Sequence, residues 1–161
     1  MNLPLSLPDK RPLCAVLDTN AVMALWHFGD PKLARLRAWA ESEDVRLFRD
    51  EACLHELERV LAYRQFGIAP EAQAALLAAY SARCECLAAP DEAQTAQLAA
   101  LPRCGDRDDQ KFIELAIRAG AHLLVSRDKL VLKLARRREL RERLLILSPE
   151  RLEQTLAQTS P

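Results

Sequence analysis

The sequence predicts an α/β protein of three layers, α/β/α, built on a central parallel sheet of four to five strands. Two observations carry that expectation. Apolar runs such as LCAVL, HLLV and LLIL are nearly continuous, as strands buried on both faces must be. Segments of helical length and periodicity separate them, the pattern of repeated strand–helix–strand units. A third observation bears on function. Open parallel sheets place their working crevice outside the carboxyl ends of the strands, and two of these runs lead into aspartates, Asp18 and Asp128.

Taken in order, Leu13 to Asp18 is the first strand. Asn20 to Phe28 and Pro31 to Glu43 are expected helices, broken by Gly29 and Asp30, with Pro31 suited to a first helical position. Val45 to Arg49 alternates apolar and polar and reads as the second strand. Glu51 to Arg64 is amphipathic, with Leu54, Leu57, Val60 and Leu61 on one face. Pro70 opens an alanine-rich helix ending near Arg83, and Cys84 to Leu87 is a short third strand. Asp91 to Leu101 fits either helix or loop. Asp108 to Ala119 reads as a helix stopped by Gly120, then His122 to Ser126 as a strand. Lys129 to Arg141 follows as a helix, Leu144 to Leu147 as the last strand, and Pro149 opens a final helix that frays from Gln158.

Bulk composition narrows the function classes. Half of the 161 residues are hydrophobic and 29% are charged, a globular balance that excludes wholesale disorder. Residues 1–161 are expected to form one domain, with its core over about 13–147 and a C-terminal helix over 149–157. The 23 basic and 23 acidic residues cancel, so affinity for nucleic acid has to come from local charge placement. The opening MNLPLSLPDKRP does not read as a signal peptide, and no stretch has the length and apolarity of a membrane span. Five cysteines fit reduced thiols, and a cytoplasmic location is expected.

The chemistry is carried by acids far apart in sequence. Asp18 ends the first strand, Glu56 lies on an amphipathic helix, Asp109 opens a helix, and Asp128 follows a strand. In a parallel sheet three of these converge on one rim, which Glu56 reaches from a flanking helix. Carboxylates within roughly 4–6 Å of one another raise each other's pKa, so such a cluster is unfavourable alone. A hard dication such as Mg²⁺ or Mn²⁺ reverses the sign, since it prefers oxygen ligands. At a phosphodiester it neutralises developing charge and lowers the pKa of bound water. Each acid also has a plainer role: Asp18 and Asp128 as helix caps, Asp106 and Asp109 as caps and charge partners of the helix they start (the better reading for Asp106 or Asp108), Glu56 as a solvated helix acid.

The stretches VLDTN, HELERVL and DRDDQKFIELAIRAGAHLLVSRD, which hold these residues, resemble the PIN domain over about Leu13 to Leu147. Their order and spacing are most similar to the branch of toxin components of bacterial toxin–antitoxin pairs. The resemblance implies a PIN-like α/β/α fold and a Mg²⁺- or Mn²⁺-dependent ribonuclease. It implies Asp18, Glu56, Asp109 and Asp128 as catalytic, metal-holding acids, with the adjacent Asp108 as the alternative to Asp109. Asn20 is implied to orient Asp18, Ser126 to stand where the family has Thr or Ser, and Asp106 to be a companion acid. An RNA substrate, a cognate antitoxin and a homodimer are the implied partners.

Other features carry less. Lys129, Lys133, Arg137 and Arg141 recur every four residues and would form a stripe on one helix face, a solvated surface or a track for phosphates. Arg127, Lys129 and Lys133 are the candidate RNA contacts. Cys84, Cys86, Cys104 and His122 fit no standard zinc spacing. Trp26, His27 and Trp39 are expected to pack or line an interface, and an aromatic content of 5% gives no evident base-stacking mode. A haloacid-dehalogenase phosphatase needs an acid two residues after the first Asp, where Asn20 stands, and a phospho-receiver needs paired acids there. No G-x-x-x-x-G-K-[ST], G-x-G-x-x-G or G-x-S-x-G motif occurs. The alternative to an enzyme is a binding module of the same fold that docks a protein partner.

Overall fold

A computed structural model describes residues 5–159. Five parallel strands form one sheet in the order β3-β2-β1-β4-β5, namely β1 Leu13–Leu17, β2 Val45–Arg49, β3 Cys84–Cys86, β4 Leu123–Val125 and β5 Leu145–Leu147. The chain first builds outward from β1 through β2 to β3, then returns to the other side of β1 for β4 and β5. The direction of growth therefore reverses between β1 and β4, where connections leaving the two carboxyl ends part and open a crevice. Leu17 pairs with Val125 across that junction.

Strand alternation divides the core between the two faces. Leu13, Ala15 and Leu17 of β1 join Leu123, Val125 and Leu147 on one face. That face is covered by α1 Thr19–Val22, α2 Ala34–Ala40, α4 Pro70–Arg83 and α9 Pro149–Thr159, together with Leu57 and Leu61 of α3 Glu51–Leu61. Val16, Leu124 and Ile146 point the other way. They pack under α6 Gln110–Arg118, α7 Lys129–Lys133 and α8 Arg138–Arg141, with Leu98 of α5 Glu92–Ala99 at the margin. The expected three layers are present, with five strands.

Local chemistry settles what periodicity left open. The stretch 91–101 is a helix because Asp91 accepts from the Gln94 N–H at 2.8 Å while the Gln94 side chain bonds back to the Asp91 N–H. The short edge strand β3 is tied to β2 by Arg46, whose guanidinium grips Glu85 with two bonds of 2.6 Å. Gly120 ends α6 with φ +62°, as expected of a left-handed cap. Helix α9 continues through Thr159, past the expected fraying at Gln158. The Thr155 and Thr159 hydroxyls donate to carbonyls one turn back; residues 160–161, like 1–4, lie outside the described residues.

Several helices are shorter than expected. The first becomes a wider π turn over Met23–His27 after α1, and a 3₁₀ turn over Pro31–Leu33 precedes α2. The largest correction falls on 129–141, expected as one helix. Here α7 ends at Lys133, a 3₁₀ turn covers Leu134–Arg136, and Arg137 is extended at φ −68°, ψ 126° before α8. On one continuous helix Leu134 and Leu140 would face roughly 120° apart. The break lets both be buried in the same core. The four-residue basic repeat is thus not a single helical stripe.

Burial on both faces makes the central strands the place where truncation costs most. Leu124→Ala, at a fully buried position in β4, is expected to lower stability by about 2–5 kcal/mol. Leu130→Ala, 44% exposed, is expected to stay within about 0.5 kcal/mol. Urea unfolding of the two variants checks the contrast.

Candidate active site

Asp18 follows directly on β1, beside the carboxyl end of β4, and its backbone N–H donates to Val125 O at 3.0 Å. Its side chain is only 3% exposed. Oδ1 caps α1 by accepting from the Ala21 N–H at 2.8 Å. The Ser126 hydroxyl and the Arg127 backbone N–H also bond the carboxylate. Ser126 is itself fully buried, and its Oγ accepts from the Asp128 N–H at 3.0 Å, so the hydroxyl proton is free to serve Asp18. Burial outweighs these donors and pushes the Asp18 carboxyl up to about 6, with Glu56 adding a smaller repulsion.

The second group is formed by the entrance to α6 and the end of β4. Asp106 caps a 3₁₀ turn over Arg107–Asp109, accepting from the Asp108 N–H at 2.9 Å. Asp128 caps α7 through Oδ1, which takes the Leu130 N–H at 2.8 Å and the Val131 N–H at 3.2 Å. Asp106, Asp109 and Asp128 each offer a carboxylate oxygen, and these oxygens all lie within 4.8 Å of one another. Desolvation, then Asp128, Asp106 and Asp18, push the Asp109 carboxyl up to about 7. Asp109 rather than Asp108 joins the group.

Glu56 reaches the same cleft from α3 but is already matched. Lys111 Nζ lies 2.7 Å from Glu56 Oε1, and the Thr19 hydroxyl donates to Oε2. Both residues were missed from sequence. Thr19 sits inside the VLDTN motif, while the Lys111–Glu56 pair spans 55 positions and leaves no local signal.

Asp18, Glu56, Asp106, Asp109 and Asp128 all border one open cleft of about 320 Å³. Asn20 also lines it, exposed. The hydrogen bonds that orient Asp18 come from Ser126, Ala21 and Arg127, in place of the expected Asn20. Among the candidate RNA contacts, Arg127 is 2.6 Å from Glu150, while Lys129 and Lys133 are exposed. The zinc alternative has no geometry behind it. His122 Nδ1 accepts from the Cys14 N–H at 2.9 Å, and the aspartate trio is the sole His/Cys/Asp/Glu group among the described residues close enough to share an ion.

All the donors are carboxylate oxygens, three are close enough to converge on one centre, and two carry raised pKa values. That set fits a hard dication such as Mg²⁺ or Mn²⁺ and does not suit a thiophilic metal.

Comparison with known proteins places this geometry. Residues 14–130 match the family described as "PIN domain". The fold is also similar to the crystal structure of PAE2754 from Pyrobaculum aerophilum, with a TM-score of 0.52 at 18% identity, covering 91% of this chain and 98% of that one. No curated protein matches the sequence significantly. Among the described residues, no helix is long and apolar enough to cross a membrane.

The acids also set a pH dependence. Asp18 and Asp109 hold protons in the folded chain well above the ordinary 3.8. Between about pH 4 and 7 the metal-free folded state therefore binds more protons than the unfolded chain, and its stability falls as pH rises through that window. Asp109→Asn is expected to raise the melting temperature of chelator-treated protein at pH 8 while changing it little at pH 4. Mg²⁺ should raise the wild-type melting temperature more at pH 8 than at pH 5. Thermal unfolding across pH, with and without the ion, measures both effects.

Proposed function

We propose that this chain, which belongs to the PIN-domain family of typical nucleases, is a Mg²⁺- or Mn²⁺-dependent endoribonuclease that hydrolyses RNA phosphodiester bonds. The observation that carries the reading is the aspartate trio, with oxygens within 4.8 Å, beside a buried fourth carboxylate at the sheet's switch point. Asp106, Asp109 and Asp128 would hold the ion, with Asp18 beside them. When bound, the ion supplies Lewis-acid polarisation of the phosphodiester and compensates the charge growing on it.

The chain's own residues keep that site in order. Ser126 and the Arg127 N–H fix the Asp18 carboxylate, and α1 locks its other contact through Ala21. Asp128 and Asp106 are held by the helical turns they cap, leaving oxygen lone pairs for the cleft. Lys111 and Thr19 occupy both Glu56 oxygens, so Glu56 contributes position and charge balance more than a free ligand. No Ser, Cys or His borders the cleft among the described residues, and the one hydroxyl of a Thr there is engaged by Glu56. The proposed reaction is hydrolysis by water, with no covalent protein nucleophile.

The toxin role, with a partner antitoxin and a homodimeric state, is part of the same proposal. Its support is the order and spacing of VLDTN, HELERVL and the segment from Asp106 to Asp128. Co-expression with the product of a neighbouring reading frame, followed by nuclease assay of the complex, tests it; a complex as active as the free chain would contradict it.

Asp18→Asn is expected to lower the cleavage rate at least 100-fold while leaving the circular dichroism spectrum unchanged. Glu56→Gln is expected to cost less. Chelator should abolish wild-type cleavage, and Mg²⁺ or Mn²⁺ should restore it. Equal cleavage by Asp18→Asn and wild type would refute the assignment.

A further inference from the structure

Among the described residues the exposed large apolar side chains are Phe28, Tyr63 and Leu130, at 58%, 46% and 44%. Two of the three belong to one cluster. The Tyr63 and Phe66 rings lie nearly parallel, 16° apart in plane with centroids 6.1 Å apart. Phe66 meets Phe28 edge-on at 5.8 Å and His27 at 6.2 Å. The 3₁₀ turn Arg64–Phe66, capped by Tyr63 and closed by Gly67 at φ +57°, presents the Tyr63 and Phe66 rings. Phe66 packs partly against the core and anchors the cluster, while Tyr63 stands outward.

Position gives the cluster its meaning. Tyr63 and Phe66 border the same cleft as Asp18, Glu56, Asp109 and Asp128. That cleft is acidic and the whole chain has no net charge, so neither attracts a polyanion. The dication proposed for the acids would hold a phosphate, so a further hold on the strand along the cleft wall has to come from contacts other than charge. Aromatic faces do this for unpaired bases, since every base has a π face, whereas a duplex keeps its bases stacked within itself.

We propose that Tyr63, with Phe66 and Phe28 continuing the surface, forms a base-stacking subsite that holds unpaired bases of an RNA strand beside the acids. The proposal rests on the nuclease reading for its substrate, but its binding test does not depend on cleavage. The aromatic scarcity of the sequence hid the site, because the rings come from the segments 27–28 and 63–66 and meet only in the fold.

The test is equilibrium binding of a labelled single-stranded RNA and its duplex to the full chain in the Asp18→Asn background, with Mg²⁺ present and salt varied. Tyr63→Ala is expected to weaken single-strand binding on the order of tenfold, with little effect on the duplex. Tyr63→Trp should retain the affinity, and the salt dependence should be unchanged by either substitution, since stacking releases no counterions. Phe28→Ala, at a still more exposed position, provides a second variant with a smaller expected loss. Unchanged affinity in Tyr63→Ala and Phe28→Ala would overturn the proposal. So would loss of self-association in Tyr63→Ala, by sedimentation, with RNA affinity intact, because the rings would then be an interface between copies. Wild-type cleavage is scored separately: Tyr63-dependent binding without cleavage would support the subsite and remove the nuclease reading, and cleavage with Tyr63-independent binding would do the reverse.

Discussion

A carboxylate buried at the end of a central strand is the constraint around which the rest of this molecule is arranged. Asp18, 3% exposed, cannot be ionised there without donors, and its neighbours supply three: the Ala21 N–H, the Arg127 N–H and the Ser126 hydroxyl. Two of them come from the β4 side of the switch point, so sheet topology and charge placement are one feature. Were β4 not hydrogen-bonded beside β1, Asp18 would lose two of its three donors and the company of Asp128. Even with that support its carboxyl stays at about 6, which leaves it open to compensation by a cation.

Structural and functional roles coincide at these acids. Asp18, Asp106 and Asp128 each accept backbone N–H groups at the start of a helical turn. Capping fixes one oxygen and thereby aims the other. Asp109 has no such bond, and it is the acid pushed highest, to about 7. Glu56 is balanced differently, by Lys111 at 2.7 Å and Thr19. The cleft thus separates into a matched pair on the α3 side and an uncompensated group on the α6 side. The second is where a dication gains most.

The sheet was legible in the sequence because strands buried on both faces leave unbroken apolar runs, as in LCAVL and HLLV. The acids were legible because strand ends and helix starts are short-range features. What was not legible involved tertiary packing. The break at Arg137 exists to bring Leu140 into a core that the helical period alone would have missed. The orienting role expected of Asn20 passed to Ser126, more than a hundred positions away in the chain, and Lys111 and the ring cluster at Tyr63 likewise depend on contacts between distant segments. The resemblance already implied Asp109 with Asp108 as the alternative, and it is Asp109 whose carboxylate the turn brings to Asp106 and Asp128.

The central claim is that these acids share one pocket and that a dication takes the place of the protons they otherwise hold. Calorimetric titration of Mn²⁺ into the chain near pH 7, repeated in buffers of different ionisation enthalpy, counts protons released per ion bound. The account predicts saturable binding with net proton release, which decreases when Asp109 is replaced by Asn. Absence of binding, or binding whose proton count is the same without the Asp109 carboxylate, would contradict it.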